Sequence, residues 1–383
     1  MDYENYKCTQ IYNRLFSNEL INQLTSNWQI IGQSYLGKPI KMLSVGTGSI
    51  NILLWSQMHG DEPTATGSIF DLVNFFIAKA DDQQLLRENI LIKCTLYFIP
   101  VLNPDGLENY TRRNAQCIDI NRDFLAQQSP EGKILTDVRN RIKPDFCFNL
   151  HDQSTLYCTE NQQQPVAIAF LAPAFNKLKT VNWVREQAIK VIICMAEVLQ
   201  NYIPGKIARF NDDFEPRAFG DNFQKLGSST ILLESGGYLN DDEKQEIRKF
   251  NFIALLKAFE VIAQQTYQEK DLLNYLMIPL NSKDIYHVLF KNVTCIADNK
   301  NYTFDIALKY TEIFNKETRT LTKVWSIEDC GDLSNFTAYQ EIDGHTLTVN
   351  KNVNPNNFAT LQIFNKQQNL VYHWQNGTQL IKI

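Results

Sequence analysis

At 383 residues the chain exceeds one ordinary domain and suits two. Hydrophobic residues at 44% and charged residues at 21% allow a soluble globular protein with a real buried core. The net charge of -5 is modest and mixed along the sequence, which excludes the basic footprint of a nucleic-acid binder, and apolar runs such as Ile52–Trp55 and Ile189–Met195 fall far short of the roughly 20 residues that a membrane helix needs.

The N-terminus reads MDYENYKCTQ, with neither the basic nor the apolar stretch of a secretion signal. Eight cysteines (Cys8, Cys94, Cys117, Cys147, Cys158, Cys194, Cys295 and Cys330) lack CxxC spacing, and several sit in apolar runs, as Cys147 does in DFCFNL. They read as buried free thiols, which predicts a reducing compartment and a cytoplasmic location.

The first 25 or so residues carry a helical pattern (Ile11, Leu15, Leu20, Leu24), followed by two alternating runs, WQIIGQSY and KPIKMLSVG, that predict a hairpin turning at Leu36-Gly37. NILLWSQ is a short apolar strand, and the stretch from Pro63 behind it is helical, with the proline suited to the first turn. LIKCTLYFIPVL predicts a strand, EGKILTDVRNRI a helix and DFCFNL a third strand. A long helix over 175–202, the strand STILLE and a helix over 241–266 complete the series. This alternation predicts an α/β fold: a mainly parallel mixed sheet flanked by helices on both faces. After about residue 270 the runs YTFDIALKYTEIF, TRTLTKVWSI, HTLTVN, FATLQIF and LVYHW are strand-like, separated by Asn-, Asp- and Gly-rich turns. The expected division is a catalytic domain over 1–268 and a small all-β domain over 269–383.

Four polar clusters follow four of the predicted strands: Gln57–Glu62 (QMHGDE) after NILLWS, Asn103–Gly106 (NPDG) after LYFIPVL, His151–Gln153 after DFCFNL, and Glu234–Gly237 (ESGG) after STILL. In open α/β sheets the ligand crevice lies beyond the carboxyl ends of the strands, so all four would face one crevice. A hydrolytic zinc site needs three protein ligands and one open position, and two histidines with one glutamate is an established set. His59 and Glu62, three apart, can bring both side chains to one side of a turn, and His151 can complete the triangle. The other histidines, His287, His345 and His373, fall in the predicted β domain. Arginine suits a carboxylate or an oxyanion, and Arg112, Arg113 and Arg122 stand near Asp119 and Asn121. Glu234 ends an otherwise apolar strand, where a desolvated carboxylate suits a general base.

HGDE, NPDG…R…DINR, NLHDQ and LLESGG, in that order, resemble the zinc metallocarboxypeptidase family, especially its short bacterial cytoplasmic-type members, over roughly residues 30 to 265. The resemblance implies a carboxypeptidase-like fold and one Zn2+ per chain, held by His59, Glu62 and His151. It implies Glu234 as the general acid/base, Arg112 polarising the scissile carbonyl, Asn121 and Arg122 holding the substrate's terminal carboxylate, and Asp119 orienting His59. Arg113 adjoins Arg112, and the spacing to Asn121 alone selects between them. The sequence departs from the family in the loop before the catalytic glutamate: GKIARFNDDFEPRAFGDNFQKLGSS has no tyrosine to close over a substrate, while Arg209 and Arg217 there read equally as substrate contacts or as surface charges. The expected activity is exopeptidase cleavage of a C-terminal residue. The alternative is deacylation of an N-acyl amino acid, because the aspartoacylase and succinylglutamate desuccinylase group shares the ligand set, the Asn-Arg pair, the glutamate and a C-terminal β domain. A non-catalytic binding module on the same fold is a third class. A substrate with a free carboxylate is the expected partner, with neither nucleic acid nor membrane.

Overall fold

A computed structural model describes residues 2–79, 81–161, 163–297, 300–349 and 353–381. Two compact units account for the chain, one formed by 1–155 with 166–281 and the other by 156–165 with 282–383.

The first unit is built on an eight-stranded mixed sheet. Its elements in chain order are α1 (Asn18–Leu24), β1 (Gln29–Gln33), β2 (Pro39–Val45), β3 (Ile50–Trp55), α2 (Thr64–Ile77), α3 (Gln84–Lys93), β4 (Cys94–Ile99), α4 (Pro104–Asn109), α5 (Pro130–Ile142) and β5 (Phe146–Asp152). The chain then visits the second unit, where it forms the short β6 (Cys158–Thr159). It returns with β7 (Ile168–Leu171), α6 (Trp183–Leu199), β8 (Ile207–Arg209), α7 (Phe219–Lys225), β9 (Ser229–Ser235), α8 (Gln245–Gln264) and α9 (Leu273–Leu276), and β10 (Asn281–Ser282) marks the final passage out.

The strand order is β1-β2-β4-β3-β5-β9-β7-β8. The central four, β4, β3, β5 and β9, run parallel, whereas β2 joins β4 and β7 joins β9 in antiparallel fashion. Period-two alternation sends each central strand's side chains to two different cores. Ile52 and Leu54 of β3 join Phe146, Phe148 and Leu150 of β5 under α2, α6 and α8, while Leu53, Trp55 and Cys147 pack with Leu135 of α5 and Phe219 and Phe223 of α7. Both faces are therefore covered, as continuous apolar strands require.

Local chemistry accounts for where the pattern reading and the structure part company. The helix expected from 175 begins at Trp183, because Asn182 caps it by accepting from the Arg185 amide at 2.9 Å. NPDG opens the helix α4: Asn103 accepts from the Gly106 amide at 2.8 Å, and Pro104 takes the first turn. LIKCTLYFIPVL divides, its first residues closing α3 before β4 starts at Cys94. The strands β7 and β8 are additions to the expected series, too short to carry a period. The boundary expected at residue 268 lies at 281/282, since α9 belongs to the first unit: the Tyr275 hydroxyl accepts from the Ala172 amide at 3.3 Å. The second unit also takes in 156–165, which no local pattern announces.

Of the N-terminal segment expected to be helical, only 18–24 forms an α-helix beyond one short turn at Tyr3–Asn5. A buried ion pair holds the rest. Asp71 of α2 accepts from Arg248 Nε of α8 at 2.8 Å, from the Tyr3 hydroxyl at 2.8 Å and from the Cys8 amide at 2.7 Å. Arg248 also donates to the carbonyls of Cys8, at 3.1 Å, and Ile11.

In the second unit the sheet runs β16-β13-β12-β11-β15-β17-β18-β19, with β14 on β11. These strands are β11 (Ile285–Ala297), β12 (Lys300–Asn315), β13 (Thr320–Gly331), β14 (Thr337–Asp343), β15 (Thr348–Val349), β16 (Asn357–Phe358), β17 (Leu361–Phe364), β18 (Leu370–Gln375) and β19 (Thr378–Ile381). Val288, Phe290, Ile306, Leu308, Trp325 and Trp374 lie in its core. The last residue of HTLTVN, Asn350, lies outside the described residues.

Removing one partner of a buried ion pair strands the other charge, at a cost of about 3–5 kcal/mol. Asp71→Ala should lower the unfolding free energy of the full chain by that order, measured by denaturant titration. An unchanged midpoint would mean the N-terminal segment is held by its apolar contacts alone.

Candidate metal centre

The parallel register of β5 on β9 sets His151 opposite Glu234, so both side chains stand on one face of the sheet at its carboxyl end. The chain leaving β3 supplies the third corner. Gln57 adopts the left-handed conformation (φ 44°), and its side chain bridges the turn by donating to the Gly60 carbonyl at 2.9 Å and accepting from the Thr66 hydroxyl at 3.0 Å. Gly60 packs backbone to backbone on α4, where a Cβ would lie 1.9 Å from the carbonyl carbon of Gly106. His59 and Glu62 are thereby fixed on a turn closed by the Glu62 amide on the His59 carbonyl at 3.2 Å, two residues before α2 begins.

His59, Glu62 and His151 are all buried, and their donor atoms lie within 4.8 Å of one another. Nδ1 of His59 is 2.8 Å from Glu62 Oε1, Nδ1 of His151 is 2.6 Å from Oε2, and the two Nδ1 atoms are 3.1 Å apart. Two imidazole lone pairs aimed at each other and at a carboxylate repel unless a cation or a proton stands between them. On the far side of the first ring, His59 Nε2 meets Asp119 Oδ1 at 3.0 Å, which holds a proton on Nε2 and leaves the Nδ1 lone pair facing the centre. The donor set thus fits a zinc ion with two nitrogens and one carboxylate.

Without an ion, the electrostatics favour positive charge at this centre, in the form of a proton. Burial works against a charged His59, but Glu62 and Asp119 outweigh it and lift the imidazole to about 9. For Glu62 burial is again the largest effect, and the two imidazoles overcome it, holding the carboxyl well below the usual carboxylate range. Burial lowers His151, only partly offset by Glu62. Glu234 goes the other way: burial, then the negative charges of Glu62 and Asp152, push its carboxyl well above the ordinary value. Among the described residues, none bonds to its carboxylate.

The loop 111–123 lies along the centre. Arg112 donates through Nε to Asp119 Oδ2 at 3.1 Å and through Nη1 to Glu62 Oε1 at 3.1 Å, yet its side chain stays 44% exposed and so open to a ligand. Arg113 turns away, donating to the Cys117 carbonyl at 2.9 Å. Asp119 caps a single 3-10 turn, Ile120–Arg122, by accepting from the Asn121 amide at 3.0 Å. Asn121 Nδ2 stands 3.5 Å from His151 Nε2, and its Oδ1 accepts from the Phe219 amide at 3.0 Å. Arg122 pairs with Glu215 at 3.3 Å, and Glu215 also holds Arg217 at 2.8 Å. Arg209 instead donates to the Ile278 carbonyl at 2.7 Å, away from this group.

Three residues at the site were not singled out as functional from the sequence. Glu215 was hidden in the charged run NDDFEPR. Thr64 stands two residues beyond Glu62 and bonds Asp152 at 2.5 Å. Lys244 pairs with the same carboxylate at 3.2 Å and carries no local signal at all.

Residues 19–195 match the zinc carboxypeptidase family. The first unit is a carboxypeptidase-like α/β domain. It resembles a metallo-carboxypeptidase from Burkholderia cenocepacia at a TM-score of 0.52 and 17% identity, covering 66% of this chain and 70% of that one. It also resembles a metallo-carboxypeptidase from Pseudomonas aeruginosa, solved in complex with (2-guanidinoethylmercapto)succinic acid, at a TM-score of 0.52 and 17% identity over 64% of this chain and 69% of that one. At such identities the likeness concerns the fold. Carboxypeptidase SOL1 of Arabidopsis thaliana is 32% identical over 106 residues, which are 26% of this chain and 21% of that protein, so the match spans about a fifth of the relative's length.

The purified chain should carry about one zinc ion, and His59→Ala or His151→Ala should each lose it, because two ligands rarely retain a catalytic metal. Metal analysis after dialysis measures this directly. Full occupancy in both variants would remove these residues from the ligand set.

Proposed function

We propose that the chain is a zinc-dependent metallocarboxypeptidase that removes the C-terminal residue of a peptide. The observation that carries this reading is the part-buried carboxylate of Glu234, without a hydrogen-bond partner among the described residues, one strand across from His151 and beside a three-residue metal set. A zinc ion held by His59, Glu62 and His151 would supply Lewis acidity to water and to the scissile carbonyl.

The chain's own residues do the rest. Glu234 accepts the proton of the attacking water and returns it to the leaving nitrogen, a role that suits a carboxyl pushed above its ordinary value by burial and by the negative charges of Glu62 and Asp152. Arg112, half-exposed beside Glu62, offers its guanidinium to the charge that develops on the carbonyl oxygen. Asn121 and Arg122 receive the terminal carboxylate. Arg122 already bears one carboxylate, that of Glu215, so the substrate enters a preformed carboxylate-guanidinium arrangement. Asp119 keeps His59 in its metal-binding tautomer. The Pseudomonas relative, solved with a succinic acid derivative, supports a carboxylate-bearing ligand for this chain as well. The eight free cysteines, six of them buried, support a reducing compartment, hence a cytoplasmic enzyme.

Glu234→Gln should keep the zinc and the fold yet lower kcat at least about a hundredfold, the lower range of general acid–base contributions. Steady-state kinetics on zinc-loaded protein decide it, and an active variant would place the base elsewhere. Amidating the peptide's C-terminus should remove most turnover by the wild type, and Arg122→Ala should cripple the free-acid reaction while scarcely changing the residual rate on the amide. If the groups touch, the two changes are strongly non-additive. Equal losses on both substrates would make Arg122 a structural residue. Faster hydrolysis of N-acyl amino acids than of peptides in the same assay would replace the peptidase reading with the deacylase.

A further inference from the structure

Behind the metal set lies a buried charge pair that the proposed reaction does not use. Asp152 follows His151 directly at the end of β5, where period-two alternation sends the two side chains to opposite faces of the sheet. One carboxylate oxygen, Oδ2, accepts from the Thr64 hydroxyl at 2.5 Å and from Lys244 Nζ at 3.2 Å. The other, Oδ1, is buried and has no partner among the described residues. Lys244 is itself buried, and its ammonium also reaches the carbonyl of Ser235, next to Glu234, at 3.5 Å.

The backbone carrying Lys244 is held in an unfavourable conformation. Lys244 immediately precedes α8 with φ 51°, the left-handed region that a long side chain rarely occupies. Such a conformation persists where the surroundings over-determine it. Here the Lys244 amide donates to the Asp241 carbonyl at 2.9 Å, and both oxygens of Asp241 accept from the first amides of α8. The result aims the lysine inward beneath the strand ends instead of outward to water.

We infer that Lys244, with Asp152 and Thr64, is a set of positioning residues that locks the metal ligands in register. The inference rests on the metal centre proposed above. Each ligand is reached by one link of the brace. Asp152 presents its own amide to Glu62 Oε2 at 3.2 Å, so fixing Asp152 orients the carboxylate ligand. His151 is covalently adjacent to Asp152. Thr64 stands two residues after Glu62 at the start of α2, so its bond to Asp152 ties the His59–Glu62 turn to the end of β5. The contact of Lys244 with Ser235 adds the end of β9 and with it Glu234. One ammonium thus joins the ends of β5 and β9 to the starts of α2 and α8. A neutral residue at 244 would leave the Asp152 carboxylate buried and unpaired, where it would shift or draw in water and release the amide that holds Glu62. Partners of this kind, one step beyond the ligands, typically alter metal affinity or activity by about ten- to a hundredfold.

The test uses the full chain and reads zinc affinity by competition with a chromophoric chelator, alongside kcat and KM. Lys244→Met should weaken zinc binding about ten- to a hundredfold and lower kcat, with KM changed less than about twofold, since none of the three side chains is placed at the substrate. Lys244→Arg should recover most of the affinity. Thr64→Val, which removes one hydroxyl without touching the charge pair, keeps the inference open to refutation should Lys244→Met fail to fold, and it should weaken zinc binding measurably. The double variant Asp152→Asn/Lys244→Met should bind zinc better than Lys244→Met alone, because the stranded charge is gone. A purely structural pair would lower the thermal midpoint of the chelator-treated protein equally in all variants and leave zinc affinity where it was, which overturns the inference. So does unchanged affinity in Thr64→Val together with Lys244→Met. A wild type that binds zinc as expected but cleaves no peptide would sink the peptidase reading and leave the brace standing. A wild type without zinc affinity would sink both.

Discussion

The site depends on the register of parallel strands that end at one level. Because β3, β5 and β9 run side by side in the same direction, the chain leaves all three at the same edge of the sheet. Two of those exits, His151 and Glu234, are cross-strand neighbours by pairing alone. A slip of one residue in β9 would turn Glu234 towards the α2, α6 and α8 core and set Leu233 or Ser235 opposite His151. The register is guarded by the same alternation that builds the two cores, since Ile231 and Leu233 must face one way for Glu234 to face the other. Core packing and site geometry are therefore a single constraint.

The helices and loops refine what the sheet defines. The His59 turn is too tight for the chain to choose its own path, with Gly60 pressed on Gly106 and Gln57 in a left-handed conformation. On the other flank, Gly236 leaves β9 where a Cβ would stand 2.0 Å from the Val166 carbonyl oxygen. Both ends of the site thus rely on glycine where two backbones touch. The polar groups between them are arranged by charge: carboxylates of Glu62 and Asp119 face imidazoles and Arg112, whereas Glu234 has no ion-pair partner among the described residues. That asymmetry holds one carboxyl well below the usual carboxylate range and pushes the other well above it.

Much of this was legible in the sequence because the chemistry sits at strand ends. Apolar runs that stop abruptly at His, Asn-Pro, His-Asp and Glu-Ser mark where the sheet ends, and hydrophobic periodicity needs no tertiary knowledge to be read. What escaped were features set by distant partners. Nothing near Lys244 indicates that its side chain will turn inward to Asp152. The N-terminal pattern of Ile11 and Leu15 looked helical, yet Asp71 and Arg248 hold that segment in an irregular path by satisfying its backbone groups directly. β7 is wholly apolar and four residues long, a length at which strand and helix cannot be told apart. Arg112 and Arg113 were separable only in three dimensions, where one faces Glu62 and the other a carbonyl.

The excursion of 156–165 has a consequence for how the chain comes to be folded. The polypeptide enters the second unit between His151 and β7, returns to finish the first sheet, and leaves again after 281. During synthesis that short stretch emerges more than a hundred residues ahead of the strands it belongs with. The first unit must therefore close β7 onto β9 while a tethered piece of its neighbour is still without its sheet, a non-local pairing of the kind that slows assembly. It also means that the two units have no single cut point. Cleavage at 281 would leave part of the β-rich unit attached to the carboxypeptidase-like one, a few residues downstream of His151.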